Sequence, residues 1–337
     1  MDRDVRLGGS LAETGELARR AEALGFDGLW SSETAHDPFL PLALVAEHTE
    51  RLTLGTSIAV AFPRSPVTMA HLAWDLQQLS GGRFILGLGT QVKGHLQRRY
   101  GVPADALGPR LRDYVQALRA IWTAWRTGEP LDYHGPYYTH TLMPPFFRPA
   151  PQDLPHIPVH VAGVQAYVCR LAGELAAGLH IHPFHSERYL RTVMVPAVDE
   201  GLRTAGRTRS QISLVGSAMI VTGETAAALD AARNEARRQI AFYASTRNYA
   251  VILACHGWEE VGRELTRKSV RGDWDGMAAL ITDEMLETFT VMGRPDAIPE
   301  LLRKRYDGLL SRLAAYEPFG TEAPGLPHRA LLVAFPR

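Results

Sequence analysis

Apolar positions along the chain alternate between two periods. Short runs rich in β-branched and aliphatic residues, such as 52–60 (LTLGTSIAV) and 83–89 (RFILGLG), read as strands buried on both faces. Between such runs, apolar side chains recur at helical spacing: Leu17, Ala21 and Leu24, and later Leu111, Val115, Leu118 and Trp122. The first helix carries its own boundary signals. Ser10 with Glu13 three residues on is a capping box, and Gly25 suits the left-handed turn that ends a helix. Read throughout, the pattern predicts strands at 4–7, 27–33, 52–60, 83–89, 158–163, 178–182, 212–221 and 309–316. Helices are predicted at 41–50, 65–80, 107–126, from 165, after Ser186, at 224–245 and at 295–306. Strands separated by helices must pair in parallel through helical crossovers, and eight such units favour a (β/α)8 TIM barrel over a doubly wound sheet. The dinucleotide fingerprint G-x-G-x-x-G after a first strand is missing: Gly87-Leu88-Gly89 follows the fourth strand, and Val92 takes the third glycine's place.

Three segments interrupt the rhythm of this single domain, 1–337. Residues 129–157 hold seven prolines together with Tyr133, Tyr137, Tyr138, Phe146 and Phe147. So aromatic a stretch predicts an ordered excursion over the barrel mouth rather than a linker. Residues 246–292 form a second insertion, mostly helical. Residues 317–337 look too short and proline-rich for a last barrel helix, which suggests incomplete closure or a crossing to a partner chain.

Composition removes several classes of function. Thirty-six Lys and Arg balance 36 Asp and Glu, so no basic footprint for nucleic acid exists. No run of 18 apolar residues predicts a membrane span. Met1-Asp2-Arg3-Asp4 lacks the apolar core of a signal peptide, so a cytoplasmic location is expected. Cys169 and Cys255 lie far apart in mostly apolar surroundings, which suits reduced thiols better than a disulfide. No Cys/His group has zinc-ligand spacing, and no metal is expected.

A barrel places chemistry at the C-terminal ends of its strands. There the chain carries Glu33 and His36, then Ser57 to Val60, then Thr90 and His95, then Ala162 to Gln165, and finally His182 and His185. Four histidines near one rim suit acid/base work, since imidazole titrates near neutrality. A single histidine at a strand end is more often an ordinary hydrogen-bonded residue. Gly163 opens a helix whose free amides and dipole attract anions, although plain capping is the commoner use of such a start.

Taken together, residues 21–30 (AEALGFDGLW), 54–58 (LGTSI), 79–90 (LSGGRFILGLGT), 162–163 (AG), 177–179 (AGL) and 292–298 (MGRPDAI) resemble luciferase-like monooxygenases, and within them the F420-dependent oxidoreductases. The resemblance spans about residues 4 to 316. It implies a barrel of the bacterial-luciferase-like type, a homodimer, and a small-molecule substrate. It implies a non-prolyl cis peptide at Ser57-Ile58, behind a tricyclic ring. Glu33, Ser57, Ile58, Val60, Thr90 and His95 would surround that ring, with Val60 replacing a hydroxyl-bearing residue. Ala162, Gly163, Val164 and Gln165 would hold the cofactor phosphate. His182 and His185 match positions that contact the substrate phosphate in a sugar-phosphate-oxidising relative.

The departures are as informative. Thr34 stands where those sugar-phosphate dehydrogenases carry a catalytic histidine, Val92 where they carry a carboxylic acid, and His95 where they carry an asparagine. Their acid/base pair is therefore not reproduced. His36, His182 and His185 become the candidates for moving a proton. The expected activity is hydride transfer between the C5 of coenzyme F420 and a small organic substrate. The alternatives are an FMN-dependent monooxygenase and a non-catalytic flavin-binding protein.

Overall fold

Every strand of the predicted alternation finds its parallel neighbour in the computed structural model, which describes residues 1–320 and 325–336. The barrel strands are β1 (Asp2–Leu7), β2 (Gly28–Ser31), β3 (Thr53–Thr56), β4 (Phe84–Gly89), β5 (Val159–Ala162), β6 (Gly178–His180), β7 (Ser213–Val221) and β8 (Arg312–Phe319). They pair in chain order. β8 then pairs with β1, Asp2 opposite Arg312, which closes an eight-stranded parallel ring. The helices that complete the units are α1 (Thr14–Ala23), α2 (Leu40–His48), α3 (Pro66–Leu79), α4 (Leu107–Thr127), α5 (Ala166–Leu175), α6 (Val195–Thr204), α7 (Ile298–Tyr306) and α8 (Leu326–Ala334). The capping box forms as expected, with the Ser10 amide and hydroxyl both donating to Glu13 at 2.7 Å.

The C-terminal expectation is corrected. Pro327 sits in the first turn of α8, where its missing amide costs nothing. Ala330, Leu331 and Ala334 are buried, and the Arg303 guanidinium of α7 donates to the Ala334 carbonyl. The last helix is present and the barrel closes. Residues 321–324 and 337, part of the same expectation, lie outside the described residues. The insertion at 246–292 is largely helical, but Thr290–Met292 forms a short strand beside the end of β7. In the 129–157 excursion, the hairpin of Tyr133–His134 and Thr139–His140 packs on the flank of α4. Buried Asp113 anchors it, accepting from the Tyr133 hydroxyl and the amides of Tyr137 and Tyr138 at 2.5–2.9 Å. Phe146 and Phe147 stay exposed.

Polar side chains fill part of the barrel interior. The Asp4 carboxylate accepts from Arg312 Nη2 and Nε at 2.7 and 2.8 Å and from the Trp30 indole N–H at 2.7 Å. The His160 and His180 rings lie 5.1 Å apart and both flank Trp30. Glycines on neighbouring strands make room for them. A Cβ on Gly28 would meet Arg312 at 2.4 Å, and one on Gly178 would meet His160 at 2.5 Å. Outside the barrel, Gly173 and Gly201 let α5 and α6 touch backbone to backbone; a Cβ at either would come within 2.2 Å of a carbonyl.

Candidate active site at the barrel mouth

The backbone of the third strand departs from regular pairing where the resemblance implies. The Ser57-Ile58 peptide is cis, and the strand resumes at Ala59–Val60 against Leu88 and Gly89. Residues of the β2 loop hold this bulge. The Ser57 amide donates to Ser31 at 2.7 Å, the Ser32 hydroxyl donates to the Ser57 carbonyl at 2.8 Å, and the Glu33 amide donates to Ile58 at 3.2 Å. The nearly buried Glu33 carboxylate then accepts the Val60 amide at 2.7 Å, Arg64 at 2.9 Å and the Tyr100 hydroxyl at 3.2 Å. Glu33 thus fixes the bulge from behind. Arg64 and Tyr100, absent from the sequence-level candidates, are its partners.

This arrangement predicts unequal costs for two neighbouring carboxylates. Glu33→Gln leaves three donors facing a neutral amide in a closed site and should destabilise by about 1–3 kcal/mol. Asp37 pairs with the other arm of Arg64 from an exposed position. Asp37→Asn should cost less than about 1 kcal/mol. Urea midpoints of the two variants check this, and equal losses would contradict the assignment.

On the far side of the mouth, α5 begins after β5. The amides of Val164 and Gln165 donate to no acceptor among the described residues. Ala162 and Gly163 are half-buried beside them, and the Val164 carbonyl accepts the Tyr189 hydroxyl at 2.9 Å. Thr90 is half-buried at the end of β4.

The four rim histidines do not share one environment. His36 and His95 are exposed, and their side chains make no hydrogen bond or ring contact among the described residues. His185 is buried with both ring nitrogens engaged. Its Nδ1–H donates to the His182 carbonyl at 2.8 Å, and Nε2 accepts the Tyr306 hydroxyl at 3.2 Å. It therefore supports the His182 backbone and does not face the mouth. His182 is half-buried at the end of β6. The Phe184 amide donates to its Nδ1 at 3.1 Å, so the neutral ring carries its proton on Nε2. Burial, then His185 and Arg6, hold its pKa well below the usual imidazole range. Tyr249 stacks on His182 at 4.5 Å and Tyr243 meets it edge-on at 4.6 Å. Trp30 and Phe184 are core residues. No group of three His, Cys, Asp or Glu among the described residues could hold a metal ion. No described helix is long and apolar enough to cross a membrane. A cavity of about 470 Å³ lies at the opposite end of the barrel, lined by Trp74, Trp122, Arg126, Ile157 and Pro158. Val159 and Ala177 in its lining place it at the N-terminal ends of β5 and β6, away from the bulge and from the first turn of α5.

A closed parallel barrel with a cis-peptide bulge in its third strand and open amides after its fifth defines the class of a luciferase-like enzyme fold. The chain belongs to the luciferase-like monooxygenase family, whose model matches residues 2–312. It is 46% identical over 317 residues to an uncharacterized protein of Mycobacterium tuberculosis, covering 92% of this chain and 93% of that one. It is 26% identical over 309 residues to the 5,10-methylenetetrahydromethanopterin reductase of Archaeoglobus fulgidus, covering 90% and 88%. The fold matches the coenzyme F420-dependent tetrahydromethanopterin reductase of Methanopyrus kandleri, with a TM-score of 0.79 at 20% identity over 98% and 96% of the two chains.

Proposed function

We propose that this chain is an oxidoreductase that binds coenzyme F420 at the barrel mouth and acts on a small organic substrate. The observation that carries the reading is the pairing, at one mouth, of the buttressed Ser57-Ile58 bulge with the unsatisfied amides of Val164 and Gln165. The donor set fits the group. A half-buried, backbone-lined bulge suits a flat ring, and helix-start amides suit an anionic tail. Similarity in sequence to proteins named as F420-dependent oxidoreductases, at 28% and 35% identity, favours the deazaflavin over FMN.

When bound, the deazaflavin exchanges a hydride with a substrate carbon, which is the cofactor's own chemistry. The chain's residues do the rest. Ser57 and Ile58 back the ring, with Glu33, Val60 and Thr90 shaping its bed. Ala162, Gly163, Val164 and Gln165 hold the tail. His182 presents its Nε2–H toward the substrate side and orients it, while buried His185 keeps the His182 backbone in place. His36 and His95, exposed on the rim, are open to solvent for proton exchange.

Titrating the purified protein with F420 and with FMN, followed by absorbance, tests the reading. F420 is expected to bind more tightly, and its reduced form should cause no oxygen uptake. Tighter FMN binding with oxygen consumption by the reduced complex would replace the proposal with the monooxygenase alternative.

A further inference from the structure

The C-terminal ends of β1, β6 and β8, with the helix Ala226–Ala244 that follows β7, build a second wall of the mouth that the cofactor residues leave unused. Arg6 lies two residues beyond Asp4 on β1, so period-two alternation turns it to the same barrel-facing side, one layer nearer the mouth. The pairing of β8 with β1 shifts register between Asp4 and Arg6: Asp4 sits opposite Ala314 but Arg6 opposite Pro318. This irregularity places Tyr316 beside Arg6, as bulges near active sites re-aim side chains. Arg6 donates to the Tyr316 carbonyl at 3.0 Å, and its guanidinium lies 5.0 Å over the Tyr316 ring. The Tyr316 and Tyr243 hydroxyls are 2.5 Å apart, and Tyr243 leads on to His182 and Tyr249.

Among the described residues that Arg6 and its aromatic neighbours Tyr316, Tyr243, Tyr249 and His182 bring together, the Arg6 guanidinium is the one charge. Arg6 is half-buried and forms no ion pair among the described residues. Most of its five N–H donors remain for a ligand. His182, reached from Arg6 through Tyr316 and Tyr243, is neutral by its hydrogen bonding, so it offers a single Nε2–H and no charge. One guanidinium fork beside one neutral donor matches a monoanion; a phosphate dianion calls for a second cation. The surrounding rings of Tyr243, Tyr249 and Tyr316 suit an apolar or aromatic body.

We propose that the substrate is a carboxylate on an unsaturated or aromatic body, its carboxylate gripped by Arg6 and its position set by the His182 Nε2–H. This rests on the oxidoreductase reading for calling the ligand a substrate; the binding claim stands on Arg6 alone. The test is calorimetric titration of the purified chain with benzoate and cinnamate, with their methyl esters and with phenyl phosphate, in wild type, Arg6→Met and Arg6→Lys. At least one acid should bind at least tenfold more tightly than its ester. Arg6→Met should erase that preference and leave ester binding unchanged, and Arg6→Lys should restore part of it. Acids binding no better than esters, an acid preference that survives in Arg6→Met, or tighter binding of phenyl phosphate would each overturn the proposal. The acid-to-ester ratio needs no variant, so a misfolded Arg6→Met leaves the test intact. F420 absorbance titrations on the same samples separate the two readings. Arg6-dependent carboxylate binding without F420 binding would sink the cofactor assignment and keep this one; the reverse pattern would do the opposite.

Discussion

Asp4→Ala is expected to be among the most damaging single substitutions in the barrel, costing about 3–5 kcal/mol through the stranded charge of Arg312. The carboxylate is fully buried and serves three donors: two nitrogens of Arg312 and the indole N–H of Trp30. Its removal leaves the guanidinium with only Asp2 as a carboxylate partner, through Nη1 at 2.7 Å. It also leaves the Trp30 N–H unsatisfied, at a further cost of about 1–3 kcal/mol. Against a typical stability of about 5–15 kcal/mol, the sum brings the fold to its margin. The mechanism makes a second, sharper claim. The double variant Asp4→Ala, Arg312→Met should be more stable than Asp4→Ala alone, because it removes the uncompensated charge as well as its partner. Urea unfolding of both variants decides the point. A loss below about 1 kcal/mol for Asp4→Ala, or a double variant worse than the single one, would show that the interior charge is solvated some other way.

The contact between β1 and β8 that this prediction exploits was not legible in the chain. Asp4 and Arg312 are 308 residues apart, and no local pattern links them. Most of the eight strands were legible because strands covered on both faces read as apolar runs, and that signal survives without knowledge of the neighbours. The last helix was hidden by the glycine and prolines ahead of it, although Pro327 is well placed to start a helix. At the mouth, the bulge at Ser57-Ile58 came from the resemblance, since periodicity says nothing about a peptide's isomer. The histidines show the limit most clearly. His182 and His185 lie three residues apart with the same side chain, yet one is half-buried with a free Nε2 and the other is closed in by Tyr306. Burial, which the sequence does not report, separates their roles. Arg6 had a faint signal: Asp4 and Arg6 alternate with apolar residues in a strand that a barrel buries. That pattern marks polar side chains turned inward.

Lowering the pH from 7.5 to 5 should depress the melting temperature before the ordinary surface carboxylates titrate. His160, His180, His185 and His328 are buried, and burial holds the pKa of each below the ordinary imidazole value, to about 3 for His180 and about 4 for His185. In the unfolded chain each returns to roughly 6.5. Below that value the unfolded chain binds protons that the folded chain refuses, so unfolding takes up protons and acid favours it. The stability is whole above about pH 6.5 and falls as pH drops toward the folded-state values. At pH 5 His180 and His185 account for about 2 kcal/mol each, since one pH unit is worth about 1.4 kcal/mol per proton, and His160 and His328 act in the same direction. Surface carboxylates titrate near 4 and add their share only below this window. Melting curves at pH 5, 6 and 7.5 and constant ionic strength measure the fall. His160→Asn, which removes one of the four from the barrel interior, should flatten the slope by about one proton. A melting temperature that stays level from pH 7.5 to 5 would mean that the interior imidazoles accept protons in the folded state, and that the barrel holds water or counter-charge where its side chains leave the His160 Nδ1 and His180 Nε2 atoms without partners.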